Sequence, residues 1–93
     1  MLKVNEYFEG RVKSLSFTAN GLSSTVGVML AGEYEFGTST VERMTLIAGK
    51  WLIKLPGEQE FREWKDGQTF TVPANAKFQL KVEQDSAYLC QFE

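Results

Sequence analysis

The stretch "DGQTFTVPANAKFQLKV", Asp66 to Val82, carries the reading of the whole chain. Asp66-Gly67 is a turn dipeptide, and a short β-branched and aromatic run follows it, ending at Pro73. Proline lacks an N–H for a sheet ladder, so the strand has to stop there, and Asn75 is a residue type that tolerates the left-handed conformation of a tight turn. Beyond the turn, Lys77, Gln79 and Lys81 alternate with Phe78, Leu80 and Val82. That period of two belongs to a β-strand with one face in water and one in a core, which sets Phe78 pointing inward.

The same two signals recur in both directions from this stretch. Turn punctuation falls at Asn20-Gly21, Gly32, Gly49, Pro56-Gly57 and Gln84-Asp85, mostly about ten residues apart, the rhythm of short strands in a sandwich or barrel. Lys50 and Lys54 oppose Trp51, Ile53 and Leu55, with Leu52 the exception on the polar side, and Glu33 and Glu35 oppose Tyr34 and Phe36. No window keeps apolar residues at i, i+3, i+4 and i+7 for three turns, which excludes a substantial amphipathic helix. The spacing predicts strands at about 11–18, 25–31, 33–38, 43–48, 50–55, 60–64, 69–72, 77–83 and 86–92. Nine short antiparallel strands of this kind define an all-β chain and suit a jelly-roll barrel. Open edges at this strand count call for closure or dimerisation.

Composition narrows the function classes. The 93 residues are one domain's worth, 1–93, with 43% apolar and 24% charged residues, as in an ordinary globular protein. Ten Lys plus Arg against twelve Asp plus Glu give a net charge of −2, which makes nucleic acid an unsuitable partner. The opening "MLKVNEYFEG" lacks the apolar core of a signal peptide, and no apolar run reaches the roughly 18 residues that span a bilayer. One cysteine, Cys90, permits no internal disulfide, so the expected compartment is the cytoplasm. The chain has no histidine. Ser-His-Asp and Cys-His catalysis and every His-bearing metal site are therefore excluded, and a lone Cys supplies no zinc site.

The opening stretch resembles the second motif of a cupin barrel. Gly67 is followed after five residues by Pro73, Asn75 stands in place of the usual Gly, and Phe78 stands where a metal-binding His is usual. The first cupin motif resembles residues 32–49: Glu42 and Gly49 have its spacing, and its two His positions fall on Phe36 and Thr38. The words "NEYFEGRVKS" (5–14), "VGVMLAGEYEFGT" (26–38), "ERMTLIAG" (42–49), "FTVPANAKFQLKV" (70–82) and "YLC" (88–90) resemble the small single-domain cupin family of pyrimidine/purine nucleoside phosphorylases, over nearly the whole chain. That resemblance implies a single cupin-type jelly-roll barrel. It implies cleavage of purine and pyrimidine ribonucleosides by inorganic phosphate to free base and ribose 1-phosphate, with no metal or other cofactor and as a homodimer.

Phosphorolysis of a C–N glycosidic bond passes through an oxocarbenium-like transition state. Phosphate arrives charged and needs no general base. The site needs donors for phosphate, a group that tolerates positive charge on the ribose, and contacts for sugar and base. In the cupin register Glu42 points into the barrel mouth and is the candidate catalytic carboxylate; the plainer reading is a solvated residue at a strand start. Tyr34, Phe36 and Phe78 are candidates for an aromatic wall around the base, against ordinary core packing, and Thr38 is a candidate for a hydroxyl in the pocket, against a turn role. Arg43 and the pair Lys13-Ser14 in "RVKS" are the phosphate-binding candidates, although alternation turns Arg43 outward if Glu42 points in. Tyr88 and Cys90 share a strand face, and Cys90, with no cationic neighbour, reads as a small buried hydrophobe rather than a nucleophile. The rival functions are a non-catalytic cupin that binds a sugar or nucleotide, and an interaction protein whose barrel is filled by Phe36, Phe78 and Leu80.

Overall fold

The computed structural model describes residues Met1–Glu93. Its strands are β1 (Lys3–Tyr7), β2 (Val12–Ala19), β3 (Leu22–Met29), β4 (Gly32–Gly37), β5 (Glu42–Lys54), β6 (Arg62–Lys65), β7 (Thr69–Val72) and β8 (Lys77–Phe92). The chain is all-β apart from a tight turn at Phe8–Gly10, and no helix is long and apolar enough to cross a membrane.

All pairings are antiparallel. The two long strands organise them. β5 and β8 pair from Glu42↔Phe92 to Lys54↔Gln79. Along its free edge, β8 takes β4 on its first half, from Gly32↔Val82 to Gly37↔Lys77, and β3 on its second, from Ser24↔Gln91 to Met29↔Ser86. β5 does likewise, with β7 on Glu42–Thr45 and β6 on Lys50–Ile53. The result is a cupin-type jelly roll of two layers, β1-β2-β3-β8-β5-β7 facing β4-β8-β5-β6, with β5 and β8 running through both. Hydrogen bonding does not close the sheet into a complete barrel.

Two of the expected turns are bends inside continuous strands. The segments 43–48 and 50–55 join as β5, and 77–83 and 86–92 join as β8; with the unexpected β1 added, the count is eight strands rather than nine. The β5–β8 register slips between Leu46 and Ala48, between Ala48 and Lys50, and again at Trp51. Gly49 sits at this bulge with φ +131°, and a Cβ there would lie 2.0 Å from Ser86 Oγ. Only glycine lets the two strands bend together so closely. Asp66 fixes the bulge by accepting the Gly49 N–H at 2.8 Å. β1 escaped prediction because its burial pattern is exposed nearly throughout, which leaves no alternation of apolar residues to read.

Other local signals act as expected. Asn20 (φ 54°) and Gly21 (φ 75°) form the two-residue turn of the β2–β3 hairpin, where Ala19 pairs with Leu22. Phe78, Leu80 and Val82 are buried while Lys77 and Lys81 are exposed. The inward residues of both layers make one core, with Trp51, Ile53 and Leu46 at its centre, each excluded from water. Burial of each such side chain contributes about 1.5–3 kcal/mol.

Gly49→Ala tests the bend. A methyl group facing Ser86, on a backbone that disfavours it, is expected to cost about 2–4 kcal/mol. In thermal denaturation this is a fall in Tm of more than about 10 °C for a domain of this size. An unchanged Tm would show that the two strands separate there without penalty.

Candidate active site

A cavity of about 160 Å³ opens between the layers where β5 and β8 meet. Its apolar side is built by Phe36, Phe78, Phe92, Met29 and Met44, and its polar side by Glu42, Cys90, Tyr88, Ser14, Thr25 and Tyr7. No lysine or arginine lines it.

Glu42 is the first residue of β5 and shares its inward face with Met44 and Leu46. Its partner is Cys90, whose thiol donates to Glu42 Oε1 at 3.4 Å. The diagonal follows from register, because Cys90 pairs with Met44, two residues along from Glu42. Burial raises the pKa of the Glu42 carboxyl above its ordinary value, and the Cys90 hydrogen bond offsets part of that rise. Burial raises the Cys90 pKa as well, with the neighbouring Glu42 charge adding to the effect, so Cys90 is a thiol donor and not a thiolate nucleophile. Tyr88 is pushed up to about 12, chiefly by burial, against a lowering contribution from its hydrogen bond with Ser14.

Phe36 and Phe78, register partners on β4 and β8, stack with centroids 5.8 Å apart and an interplanar angle of 27°. They form one cavity wall. Phe8 meets Phe36 edge-on at 5.4 Å and Tyr34 at 5.0 Å. It does so from the turn Phe8–Gly10, where three successive residues have positive φ, of 51°, 57° and 86°. That conformation costs about 1–2 kcal/mol for each non-glycine residue, and the Phe8 ring contacts are what offset it.

The remaining predicted residues lie elsewhere. Tyr34 is buried behind Phe36, donates its hydroxyl to the Leu30 carbonyl at 2.6 Å, and carries the Arg11 guanidinium 5.1 Å from its ring centroid. Thr38 is a latch: its Oγ1 donates to the Pro73 carbonyl at 2.6 Å and accepts the Ala76 N–H at 3.1 Å. Its hydroxyl is spent on the turn that follows β7 and does not reach the cavity. Arg43 faces away from the cavity and pairs with Glu93. Lys13 is exposed on the outer face of β2, beside Leu15, Val26 and Val28. Both cations therefore point away from Glu42, by the same alternation that turns Glu42 in. Sequence reasoning passed over Tyr7, Thr25 and Phe92. Met44 was legible once Glu42 was placed, because residues two apart share a strand face. No group of three His, Cys, Asp or Glu side chains is placed to hold a metal ion.

Comparison with known proteins gives the following. A family model described as pyrimidine/purine nucleoside phosphorylase matches residues 2–92. A protein of that name from Pseudomonas aeruginosa is 59% identical over 92 residues, covering 99% of each chain. One from Tolumonas auensis is 53% identical over 93 residues, covering 100% of each. Among solved structures, a protein of unknown function from Vibrio parahaemolyticus superposes with a TM-score of 0.95 at 44% identity, covering 100% of this chain and 99% of that one. An RmlC-like cupin from Shewanella frigidimarina superposes with a TM-score of 0.78 at 15% identity, covering 98% of this chain and 82% of that one, a likeness of fold alone.

The buried carboxylate has a stability signature. A raised folded-state pKa means that Glu42 favours folding below its unfolded pKa, near 4.5, and that this contribution is lost as pH rises through the folded value. Glu42→Gln is therefore expected to raise Tm at pH 7.5, by about 2–5 °C, with the gain vanishing toward pH 4. Tm measured at both pH values checks this; a variant equally or less stable at pH 7.5 would place Glu42 in an environment that favours its charge.

Proposed function

The chain belongs to the pyrimidine/purine nucleoside phosphorylase family, and we propose that the cavity around Glu42 is where it carries out that reaction. The protein is an enzyme that cleaves purine and pyrimidine nucleosides with inorganic phosphate. A phosphate oxygen forms a bond to the ribose anomeric carbon, the C–N bond to the base breaks, and the bonding pair leaves with the base nitrogen. The products are free base and ribose 1-phosphate. Glu42 carries the reading: it is the one ionisable carboxylate in the cavity lining, and no cation there neutralises it. As a carboxylate it accepts hydrogen bonds from ribose hydroxyls and offsets the positive charge that develops on the ring, an interaction stronger in the transition state than in the ground state. Cys90 holds one carboxylate oxygen and keeps the group oriented.

The Phe36–Phe78 wall suits the base. A stacked aromatic surface grips any π-face, whereas buried polar groups that read ring atoms would discriminate by factors of 10⁴ or more, on general grounds. The apolar composition of that side of the cavity favours one site for both base classes. Tyr34 and Phe8 buttress Phe36 from behind.

Uridine and inosine are therefore expected both to release base, only when phosphate is present, at rates that differ modestly. Glu42→Gln is expected to lower kcat about tenfold to a thousandfold. In the native enzyme kcat/KM should fall on the acid side with an apparent pKa above the ordinary glutamate value of 4.5, because the ionised form does the work. Chromatography of released base, with and without phosphate and across pH, measures all three. No base release from any common nucleoside would move the function to a non-catalytic module that binds a sugar or nucleotide; release independent of phosphate would indicate hydrolysis.

The working form is a cytoplasmic homodimer, joined through the outer face of β1, β2, β3 and β8. There Val4, Leu15, Val26 and Leu89 form a row across four paired strands, with Val28 and Ala87 beside it. Val4 and Val28 are more than half exposed, and soluble monomers seldom leave so continuous an apolar patch in water. Glu6 and Lys13, register partners on that face, supply both signs of charge, so a two-fold axis passing between them would set each against its opposite. Sedimentation is expected to give twice the 10.5 kDa chain mass, falling to the single mass in Val26→Glu. A native protein that sediments as a 10.5 kDa particle would remove the dimer.

A further inference from the structure

Phosphate is a substrate of the reaction, yet the cavity lining offers it no lysine or arginine. The lining offers hydroxyl groups instead. Asn5, Ser14, Gly27 and Tyr88 lie in one row across β1, β2, β3 and β8, on the inner face. Gly27 has no side chain to occupy its place in that row. A Cβ there would lie 2.8 Å from the Tyr88 hydroxyl and 2.9 Å from Ser14 Cβ. The Tyr88 ring thus lies across β3 in the space that Gly27 leaves, and its hydroxyl reaches Ser14.

Counting protons along the row shows what it can hold. Asn5 Nδ2 donates to Ser14 Oγ at 3.2 Å and to Ser16 Oγ at 2.9 Å, so both amide protons are spent within the protein. Ser14 then receives one bond and has one proton to give. If Ser14 donates to Tyr88, the phenol proton is left over; if Tyr88 donates to Ser14, the serine proton is left over. In either arrangement one O–H remains unspent on the cavity wall, on residues only 4% and 6% exposed. Burial that keeps the Tyr88 pKa near 12 keeps that proton in place at working pH. Thr25, next to Gly27 but one on β3, adds a hydroxyl to the same lining.

A wall with surplus donors fits a ligand rich in acceptors. Ribose hydroxyls, which donate, match the carboxylate of Glu42; phosphate oxygens match the hydroxyls. We infer that Ser14 and Tyr88, with Thr25, form the phosphate subsite, and that it binds the anion through neutral donors. Neutrality has a chemical consequence. A lysine or arginine in the same small cavity would pair with Glu42 and cancel the negative charge needed by the oxocarbenium-like transition state, whereas hydroxyls hold phosphate and leave that charge in force.

This inference rests on the cavity being the active site, so the experiment includes Glu42→Gln. Initial rates are measured for Ser14→Ala, Tyr88→Phe, the double variant and Thr25→Val, varying inorganic phosphate at saturating uridine and then the reverse. Each single variant of the pair leaves one O–H and is expected to raise KM for phosphate about 3–10-fold; the double variant removes both and should raise it more than about 100-fold. KM for uridine should stay within about twofold throughout, as expected when a lost hydrogen bond touches only the other substrate. Thr25→Val, nearly isosteric, should raise KM for phosphate about threefold or more, and it carries the test if the double variant fails to fold by thermal denaturation. A rise confined to KM for uridine would assign these hydroxyls to the ribose and overturn the inference, as would unchanged phosphate kinetics in folded variants. If Glu42→Gln is slow while phosphate kinetics are unchanged, the subsite alone has failed; if Glu42→Gln keeps full activity, the cavity itself is not the active site.

Discussion

Everything in this molecule depends on two strands bending together. β5 and β8 stay paired through a change of direction that carries each from one layer into the other. The bend is possible because Ser86 occupies the place where a side chain of residue 49 would be. Without it, β4 and β6 would continue in the plane of β3 and β7, and no inner space would exist. With it, the first residues of β5 and the last of β8 face the aromatic pair on β4 and the start of β8, and the cavity forms at their junction.

That geometry imposes a conflict that the protein resolves in favour of chemistry. A carboxylate placed where Glu42 sits loses much of its hydration, and no cation compensates for it. A weak thiol donor is its only side-chain partner. Stability alone would favour an apolar residue at this position. The desolvation that makes the charge costly also makes its field strong where a substrate cation would form. The left-handed turn at Phe8–Gly10 belongs to the same pattern, since unfavourable backbone there brings an aromatic ring against Phe36 beside the cavity.

The two faces of the β1-β2-β3-β8 layer divide the labour. Inward residues Asn5, Ser14 and Tyr88 are polar and hydrogen-bonded in a row, with Gly27 leaving room among them. Outward residues Val4, Leu15, Val26 and Leu89 occupy the adjacent register positions and are apolar. Along this row the usual pattern of a half-buried sheet, where the apolar side faces in, is inverted, while Val12 and Met29 on the same inner face join the core. A polar inner face belongs to a cavity that takes a polar ligand, and an apolar outer face belongs to a contact with another surface.

The sequence by itself determined the class of fold and the direction of many side chains, because both follow from period-two alternation and from turn chemistry. Phe78, Leu80 and Val82 inward, Glu42 inward with Arg43 outward, and the Asn20-Gly21 hairpin are each properties of a few consecutive residues. Gly49 and Gln84-Asp85 were misread as chain reversals, since a bulge and a turn use the same residues and differ only in whether the partner strand continues alongside. Thr38 was misplaced for a related reason: its hydroxyl is claimed by Pro73 and Ala76, which lie 35 and 38 residues away. Ser14 and Tyr88 could each be singled out, but the polar row that they form with Asn5 and Gly27 could not. Alternation tells which face a residue takes but not which residue of another strand lies beside it. That adjacency is fixed by the pairing of β1, β2, β3 and β8, and only the tertiary structure decides it.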